Sequence, residues 1–269
     1  RSGEELLGEF LKKYPSSQDV PDALLWRAEA LYQDGRFDDA ERAFSGAILK
    51  LPDGPHRATA EYGAAWCLFE QQKFTGAATA FERFSRQHAA DPRSAEADLR
   101  RADCYFFLGQ YDRSSALYAA LAEGGKGGLY GEYAALQLGM SYIQRGDAER
   151  GIGHLRDFQK KYPESIYGEV VQFNIAWTYF SREEYRAALG EFAAFMKAYP
   201  ESQLMPRVYF NTGDSYYNLK QYDSSRVYYQ KILTEFPSSP LVSDAMTGLQ
   251  YTYQAEGKPA GALAEIDKF

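Results

Sequence analysis

Three histidines are the side chains in this sequence best suited to metal binding or to general acid–base catalysis: His56, His88 and His154. Imidazole does this chemistry near neutral pH, but a metal site needs several ligands at a spacing that brings them together. These histidines stand far apart and share no such spacing. A phosphate-binding Gly-x-x-x-x-Gly-Lys-Ser/Thr loop and a Gly-x-Ser-x-Gly nucleophile turn are also absent. The sequence therefore predicts no enzyme and no cofactor or metal site.

The two cysteines, Cys67 and Cys104, are the remaining candidates for redox chemistry, and 37 residues separate them. If this separation is one structural repeat, the two thiols lie on equivalent neighbouring helices. Such helices pack roughly 8–10 Å apart, whereas a disulfide needs Cα atoms about 4.4–6.8 Å apart. We therefore expect two buried free thiols.

The 37-residue spacing extends along the whole chain. Each copy reads as two amphipathic helices that are broken near a glycine and closed by an aromatic residue and proline. The stretch around Gly139, Tyr142, Leu155, Phe158 and Pro163 is the most complete copy. We expect full repeats at 21–57, 58–94, 95–131, 132–168, 169–205 and 206–242, with partial repeats at 1–20 and 243–269. The glycine-rich run Gly124–Gly128 replaces one closing turn and is a candidate hinge, although an ordinary loop is as good an interpretation.

This order of small residues, aromatic residues and proline resembles the tetratricopeptide repeat, which is usually about 34 residues long. The resemblance covers nearly the whole chain. It implies an all-α fold, a right-handed α-solenoid of helical hairpins in one continuous domain, and a role in protein binding. The abundance of Tyr (22) and Phe (17) fits hairpins that need bulky side chains to fill the gaps between them.

In tetratricopeptide domains the first helix of each hairpin lines an inner groove, at positions two, five, six, nine, twelve and thirteen. We take Asp22, Thr59 and their equivalents at 37-residue steps as position two. Position nine then carries large apolar side chains in several hairpins, and position five extends this aromatic wall. Large apolar side chains supply much of the binding energy of interfaces, although packing between repeats is the alternative role. The predicted groove contacts are Tyr62, Trp66, Asp103, Gln137, Met140, Phe173, Asn174, Trp177, Arg207, Phe210, Asn211 and Asp214.

Position six places an amide in three consecutive hairpins, as Gln137, Asn174 and Asn211. A carboxamide offers both a donor and an acceptor, so this ladder could hold the backbone of an extended peptide; solvated helix residues are the alternative. Acidic side chains outnumber basic ones on the predicted groove. The expected partner is a protein or peptide with apolar anchors and some basic residues.

Four closing turns share an aromatic residue, a proline and a serine three residues after the aromatic: Tyr14–Ser17, Tyr162–Ser165, Tyr199–Ser202 and Phe236–Ser239. The proline ends one helix, and the serine can accept an N–H bond where the next helix starts. These turns resemble the repeats of bacterial cell-envelope proteins, namely the outer-membrane assembly lipoprotein and the periplasmic partner of the Tol–Pal system. The resemblance implies the periplasm or cell envelope, with the cytoplasm as the alternative.

The net charge of −7 argues against nucleic acid as a partner, and no stretch is apolar enough to span a membrane. Both ends fall inside a repeat, so we expect a fragment of a longer protein. Two further hypotheses remain. The chain could be the substrate-recognition arm of a larger enzyme or signalling protein, or it could self-associate through its ends.

Overall fold

The computed structural model describes residues 3–123 and 130–266, with side chains to residue 262. Within these residues there are fifteen α-helices and no strand, which confirms the all-α prediction. The helices are α1 Gly3–Lys13, α2 Val20–Gln33, α3 Phe37–Lys50, α4 Pro55–Glu70, α5 Phe74–Gln87, α6 Ser94–Phe107, α7 Tyr111–Glu123, α8 Gly131–Gln144, α9 Ala148–Lys161, α10 Gly168–Ser181, α11 Tyr185–Ala198, α12 Met205–Asn218, α13 Tyr222–Glu235, α14 Val242–Ala255 and α15 Pro259–Ile266. The predicted hinge at Gly124–Gly128 lies outside the described residues.

The 37-residue period is visible in the backbone itself. The second helix of each described hairpin begins 37 residues after the previous one, from Phe37 to Pro259. The residue two positions before each of these helices has a positive φ, which marks the tight turn inside the hairpin. The positive-φ turn residues are Gly35, Gln72, Gly109, Gly146, Glu183, Lys220 and Gly257, each 37 residues from the next. The predicted period is confirmed.

The serine of each signature turn acts as predicted. Ser17, Ser165, Ser202 and Ser239 each accept, through Oγ, the backbone N–H of the residue two positions on, at 3.2, 3.1, 2.9 and 3.2 Å. In the turn before α6, which lacks this signature, Asp91 takes the place of the serine, and its Oδ1 accepts the N–H of Arg93 at 2.9 Å. A short side-chain acceptor therefore orders the entry to the next helix in these five turns.

The helices fall into two compact units, Arg1–Asp147 and Ala148–Phe269. In the first unit, successive helices pack into three adjoining apolar clusters centred on Phe44, on Phe81 with Phe84, and on Tyr118. In the second unit, one cluster around Phe192, Phe195 and Ile232 serves α10 to α14. First helices also contact one another, as α2 with α4 in the first unit and as α10 with α12 and α12 with α14 in the second. Neighbouring first helices therefore pack side by side at α2–α4 in the first unit and along α10, α12 and α14 in the second. The prediction of a single continuous domain stays a prediction.

Cys67 on α4 and Cys104 on α6 are buried free thiols, as expected from their spacing. Burial raises the pKa of each thiol to about 12, so both stay protonated at neutral pH. Among the described helices, none has the length and apolar character needed to cross a membrane.

Candidate functional site

In the first unit, Tyr62 and Trp66 stand one turn apart on α4 and are both half-buried. Their ring centroids lie 6.3 Å apart, and both rings pack edge-on against Phe81 of α5. The guanidinium of Arg100 lies 5.1 Å from the Trp66 ring. This pair therefore combines packing between hairpins with an accessible edge.

Asp103 of α6 is only 3% exposed, and its carboxylate joins three helices. Its Oδ1 accepts the hydroxyl of Tyr118 on α7 at 2.5 Å and that of Tyr133 on α8 at 3.3 Å, while Arg100 donates to Oδ2 at 2.8 Å. Burial raises the pKa of Asp103, and the bonds from Tyr118 and Arg100 oppose this. In the described structure Asp103 stabilises the stack of hairpins. Gln137 and Met140 on α8 are half-buried.

In the second unit, Trp177 on α10 is 42% exposed and stacks on Phe180, with ring centroids 5.3 Å apart. Phe173, one turn earlier, is only 8% exposed and packs against Phe192 and Phe195 of α11. Asn174 is half-buried and donates its side-chain amide to the backbone oxygen of Val170 at 2.8 Å. Trp177 is thus the aromatic side chain that this helix presents outward.

On α12, Arg207 is exposed and Phe210 is half-buried beside Tyr229, with ring centroids 5.8 Å apart. Asn211 is 4% exposed, and its Nδ2 is buried without a hydrogen-bond partner. Asp214 is half-buried, and its Oδ1 accepts the Tyr229 hydroxyl at 2.5 Å. Burial raises the pKa of Asp214, with a smaller contribution from the charge of Asp244.

The structure therefore divides the twelve predicted contacts by accessibility. Asp103, Phe173 and Asn211 are buried, and their role in partner binding stays a prediction. The amide ladder is not a row of free amides, because Asn174 bonds to its own helix and Asn211 lies inside. Tyr251 on α14 was outside the predicted contacts but is 56% exposed. The sequence contained the signal for this residue, because Tyr251 holds position nine of its hairpin, as Trp66 and Trp177 do.

A second regularity links the two units. The Trp66 ring packs against the Phe81 ring, and the equivalent positions 111 residues later hold Trp177 and Phe192. Asp103 with Tyr118 and Asp214 with Tyr229 repeat at the same interval and form the same carboxylate–hydroxyl bond at 2.5 Å. Where position nine is tryptophan, the equivalent residue of the second helix is phenylalanine, and where position nine is aspartate, that residue is tyrosine. Each unit contains one tryptophan at position nine, followed one repeat later by an aspartate. Within the described residues, no group of three or more His, Cys, Asp or Glu side chains could hold a metal ion.

Sequence comparison with known families gives matches along most of the chain. Residues 1–56 and 27–89 match one tetratricopeptide repeat family model, and residues 68–137 match another. Residues 132–226 match the outer membrane lipoprotein family YfiO. This last match contains the signature turns at Tyr162 and Tyr199. Among curated proteins, none matches the sequence.

Several solved structures are similar in fold. A tetratricopeptide repeat protein from Parabacteroides merdae is 16% identical with a TM-score of 0.65, and the match covers 92% of this chain and 91% of that one. Pseudomonas aeruginosa pilF is 15% identical with a TM-score of 0.56, covering 88% and 98%. A chain of the APC/C hetero-tetramer Cut9-Hcn1 is 17% identical with a TM-score of 0.52, covering 97% and 47%. At these identities the likeness shows the fold.

Proposed function

Because this chain belongs to the tetratricopeptide repeat superfamily, whose members are typically non-catalytic protein-binding scaffolds, we propose that the first-helix face of its units binds a protein segment or an extended peptide. In the second unit this face presents Trp177, Arg207, Phe210 and Asp214. In the first unit it presents Tyr62, Trp66, Gln137 and Met140.

Trp177 is the observation that carries this proposal. A tryptophan that is 42% exposed leaves a large apolar ring in water, which costs free energy that a partner would recover. Its stacking on Phe180, at an interplanar angle of 27°, holds the ring in one orientation before a partner arrives. A large, preorganised aromatic side chain is the usual energetic centre of a protein interface.

The chemistry of the partner follows from the surroundings of these rings. Apolar anchors suit the aromatic side chains, and the net charge of −7 favours basic residues on the partner. The match of residues 132–226 to an outer membrane lipoprotein family supports a setting in the bacterial cell envelope, and we propose a role in envelope assembly.

Site-specific photo-crosslinking in cells of the source organism tests this function. A benzoylphenylalanine replaces Trp177 or, in a separate protein, Val227, which is 49% exposed on the second helix α13. We expect a discrete covalent adduct from position 177, identified by mass spectrometry, and no such adduct from position 227. Equal adducts from both positions, or none from position 177, would contradict binding at the first-helix face.

A further inference from the structure

Two pockets open between neighbouring first helices, one in each unit. The α2–α4 pocket has a volume of about 330 Å³ and is lined by Glu29, Tyr32, Gln33, Phe44, Thr59, Tyr62, Gly63, Trp66 and Arg93. The α12–α14 pocket has a volume of about 340 Å³ and is lined by Phe210, Asp214, Tyr217, Asn218, Tyr229, Asp244, Thr247, Gly248 and Tyr251. Each volume is sufficient for one long side chain.

The two pockets are built from the same repeat positions. Eight of the nine lining residues of one pocket correspond to eight in the other at an offset of 185 residues, which is five repeats of 37. At the floor of each, a glycine lies against an aromatic ring. A Cβ added at Gly63 would come within 2.5 Å of Phe44, and one added at Gly248 within 2.5 Å of Tyr229. The first helices therefore approach the rings in the same way at both places.

The shared chemistry of the pockets is aromatic and acidic. Each has a carboxylate at position nine, Glu29 or Asp214, a tyrosine at position twelve, and a carboxamide at position thirteen. Aromatic faces and carboxylates both attract cations, and the rings can also cover the methylene groups of a long basic side chain. The pockets thus match a side chain with an apolar stem and a cationic end.

The first unit already contains a cation at its pocket. The guanidinium of Arg93 lies 5.3 Å from the centroid of the Tyr62 ring and bonds to Thr59 at 3.1 Å, two residues that line the α2–α4 pocket. Asp91 holds this guanidinium in place, with bonds of 2.7 and 2.9 Å. A guanidinium is therefore compatible with this type of pocket.

The α12–α14 pocket has the acids without the cation. Asp214 and Asp244 both line it, and no lysine or arginine is among its described lining residues. Burial raises the pKa of Asp214, and the like charge of Asp244 on the same pocket adds to this. Tyr251 at the rim is 56% exposed, so the pocket is open to solvent.

We propose that the α12–α14 pocket binds an arginine side chain of the partner segment, with its guanidinium paired with the carboxylates of Asp214 and Asp244 and its stem against Tyr217 and Tyr251. This specificity rests on the proposed binding function of the first-helix face. The residues that line this pocket in the second unit would then select a basic partner.

Titration of the whole protein with a blocked arginine, Nα-acetyl-arginine methylamide, tests the proposal, with saturation-transfer NMR as the readout. The neutral control is the citrulline analogue, which has the same shape without the charge. We expect the citrulline probe to bind about tenfold more weakly or worse, because charged hydrogen bonds and the cation–π contact are lost. Equal affinities for the two probes would overturn the proposal.

Three variants locate the site. Tyr251→Ala and Asp244→Asn, both at exposed positions, should each weaken arginine binding about threefold to tenfold. Val227→Ala, on the second helix α13, is the matched control and should leave the probe affinity unchanged. Wild-type affinity in Asp244→Asn and Tyr251→Ala would overturn the assignment to this pocket.

The outcome stays distinct from that of the proposed function. If the arginine probe does not bind but position 177 gives a discrete crosslink, the arginine pocket is ruled out and the proposed binding face stands. Loss of that crosslink removes the proposed function, whatever the probe does.

Discussion

Asp103 and Asp214 hold the same hairpin position and accept the same tyrosine bond, yet their surroundings give them different roles. Asp103 is 3% exposed and has the guanidinium of Arg100 at 2.8 Å, so its charge is satisfied inside the protein. Asp214 is half-buried, lines an open pocket and is repelled by Asp244. A buried carboxylate that is paired with a cation of the same protein stabilises the fold, whereas a carboxylate without such a cation is available to a ligand.

The raised pKa of Asp214 makes stability depend on pH in a defined direction. The folded protein holds this proton more tightly than the unfolded chain, in which an aspartate titrates near pH ~3.9. The stabilisation from the neutral carboxyl group is therefore lost as the pH rises from that value through the folded pKa. We expect the free energy of unfolding of the wild type to fall, relative to Asp214→Asn, across this window. Urea unfolding at several pH values measures it, and parallel pH profiles for the two proteins would contradict the assignment.

The turns inside the hairpins allow a second prediction about single residues. Gln72, Glu183 and Lys220 adopt φ values of 58°, 61° and 59°, where four other hairpins have glycine. A non-glycine residue pays roughly 1–2 kcal/mol in this region, and the greater freedom of glycine in the unfolded chain offsets part of that. We expect Glu183→Gly to raise the free energy of unfolding by about 0.5–1 kcal/mol in urea titrations.

The matched control is Gly146→Ala, at φ 94°, which should lower the free energy of unfolding by about 1 kcal/mol. If both substitutions change stability in the same direction, the turn geometry does not govern the effect.

At the scale of the helix, glycines divide into those that permit close packing and those that do not. Gly63 on α4 lies against the Phe44 ring, and an added Cβ would come within 2.5 Å of it, whereas Gly190 on α11 has open space around its Cα. We expect Gly63→Ala to destabilise the protein by about 1–3 kcal/mol through overpacking. Gly190→Ala should stabilise it by up to about 1 kcal/mol through helix propensity. Thermal unfolding followed by circular dichroism gives both values, and a stabilised Gly63→Ala would rule out the close approach.

The entry to each first helix depends on its turn serine to a different degree. Ser202 accepts the N–H of Leu204 at 2.9 Å and donates to Glu169 at 2.6 Å, while Ser239 accepts the N–H of Leu241 at 3.2 Å. Since Ser202→Ala also removes a partner of a carboxylate, it should cost about 1–2 kcal/mol, and Ser239→Ala about 0.5–1 kcal/mol. Urea unfolding of the two variants tests the order, and a reversed order would contradict it.

For the whole molecule, the net charge of −7 governs how a basic partner approaches. Mobile ions screen this attraction, so the association rate with a basic partner captured at position 177 should fall roughly tenfold between low and high salt. Stopped-flow or surface-binding kinetics at several salt concentrations measure this. A rate that does not change with salt would show that the partner is not selected by charge.

Much of the fold was predictable because its signals are local. The starts of the second helices, the four turns that contain glycine and the serine of each signature turn follow from glycine, proline and apolar spacing within one 37-residue copy. The burial and free state of Cys67 and Cys104 followed from the same period. Each of these features depends on a few neighbouring residues, and the same pattern of residues recurs in several repeats.

The candidate site was predictable only in part. The sequence placed Phe173, Asn174 and Trp177 on one face of one helix, but it did not show that Phe173 is buried while Trp177 is 42% exposed. Burial on a helix face depends on the volume of side chains that reach it from other helices, here the rings of Phe192 and Phe195. Those volumes belong to residues about 20 positions away along the chain.

By itself, therefore, the sequence determined the helices, their period and the face on which partner contacts would lie. Only the tertiary structure showed that Asp103 has Arg100 as its internal partner, that Asp214 and Asp244 line one pocket, and that this pocket matches the one around Glu29 and Trp66. A period along a chain fixes which residues are equivalent. Which equivalent residues remain open to a ligand depends on packing between helices, because each pocket needs walls from two hairpins at once.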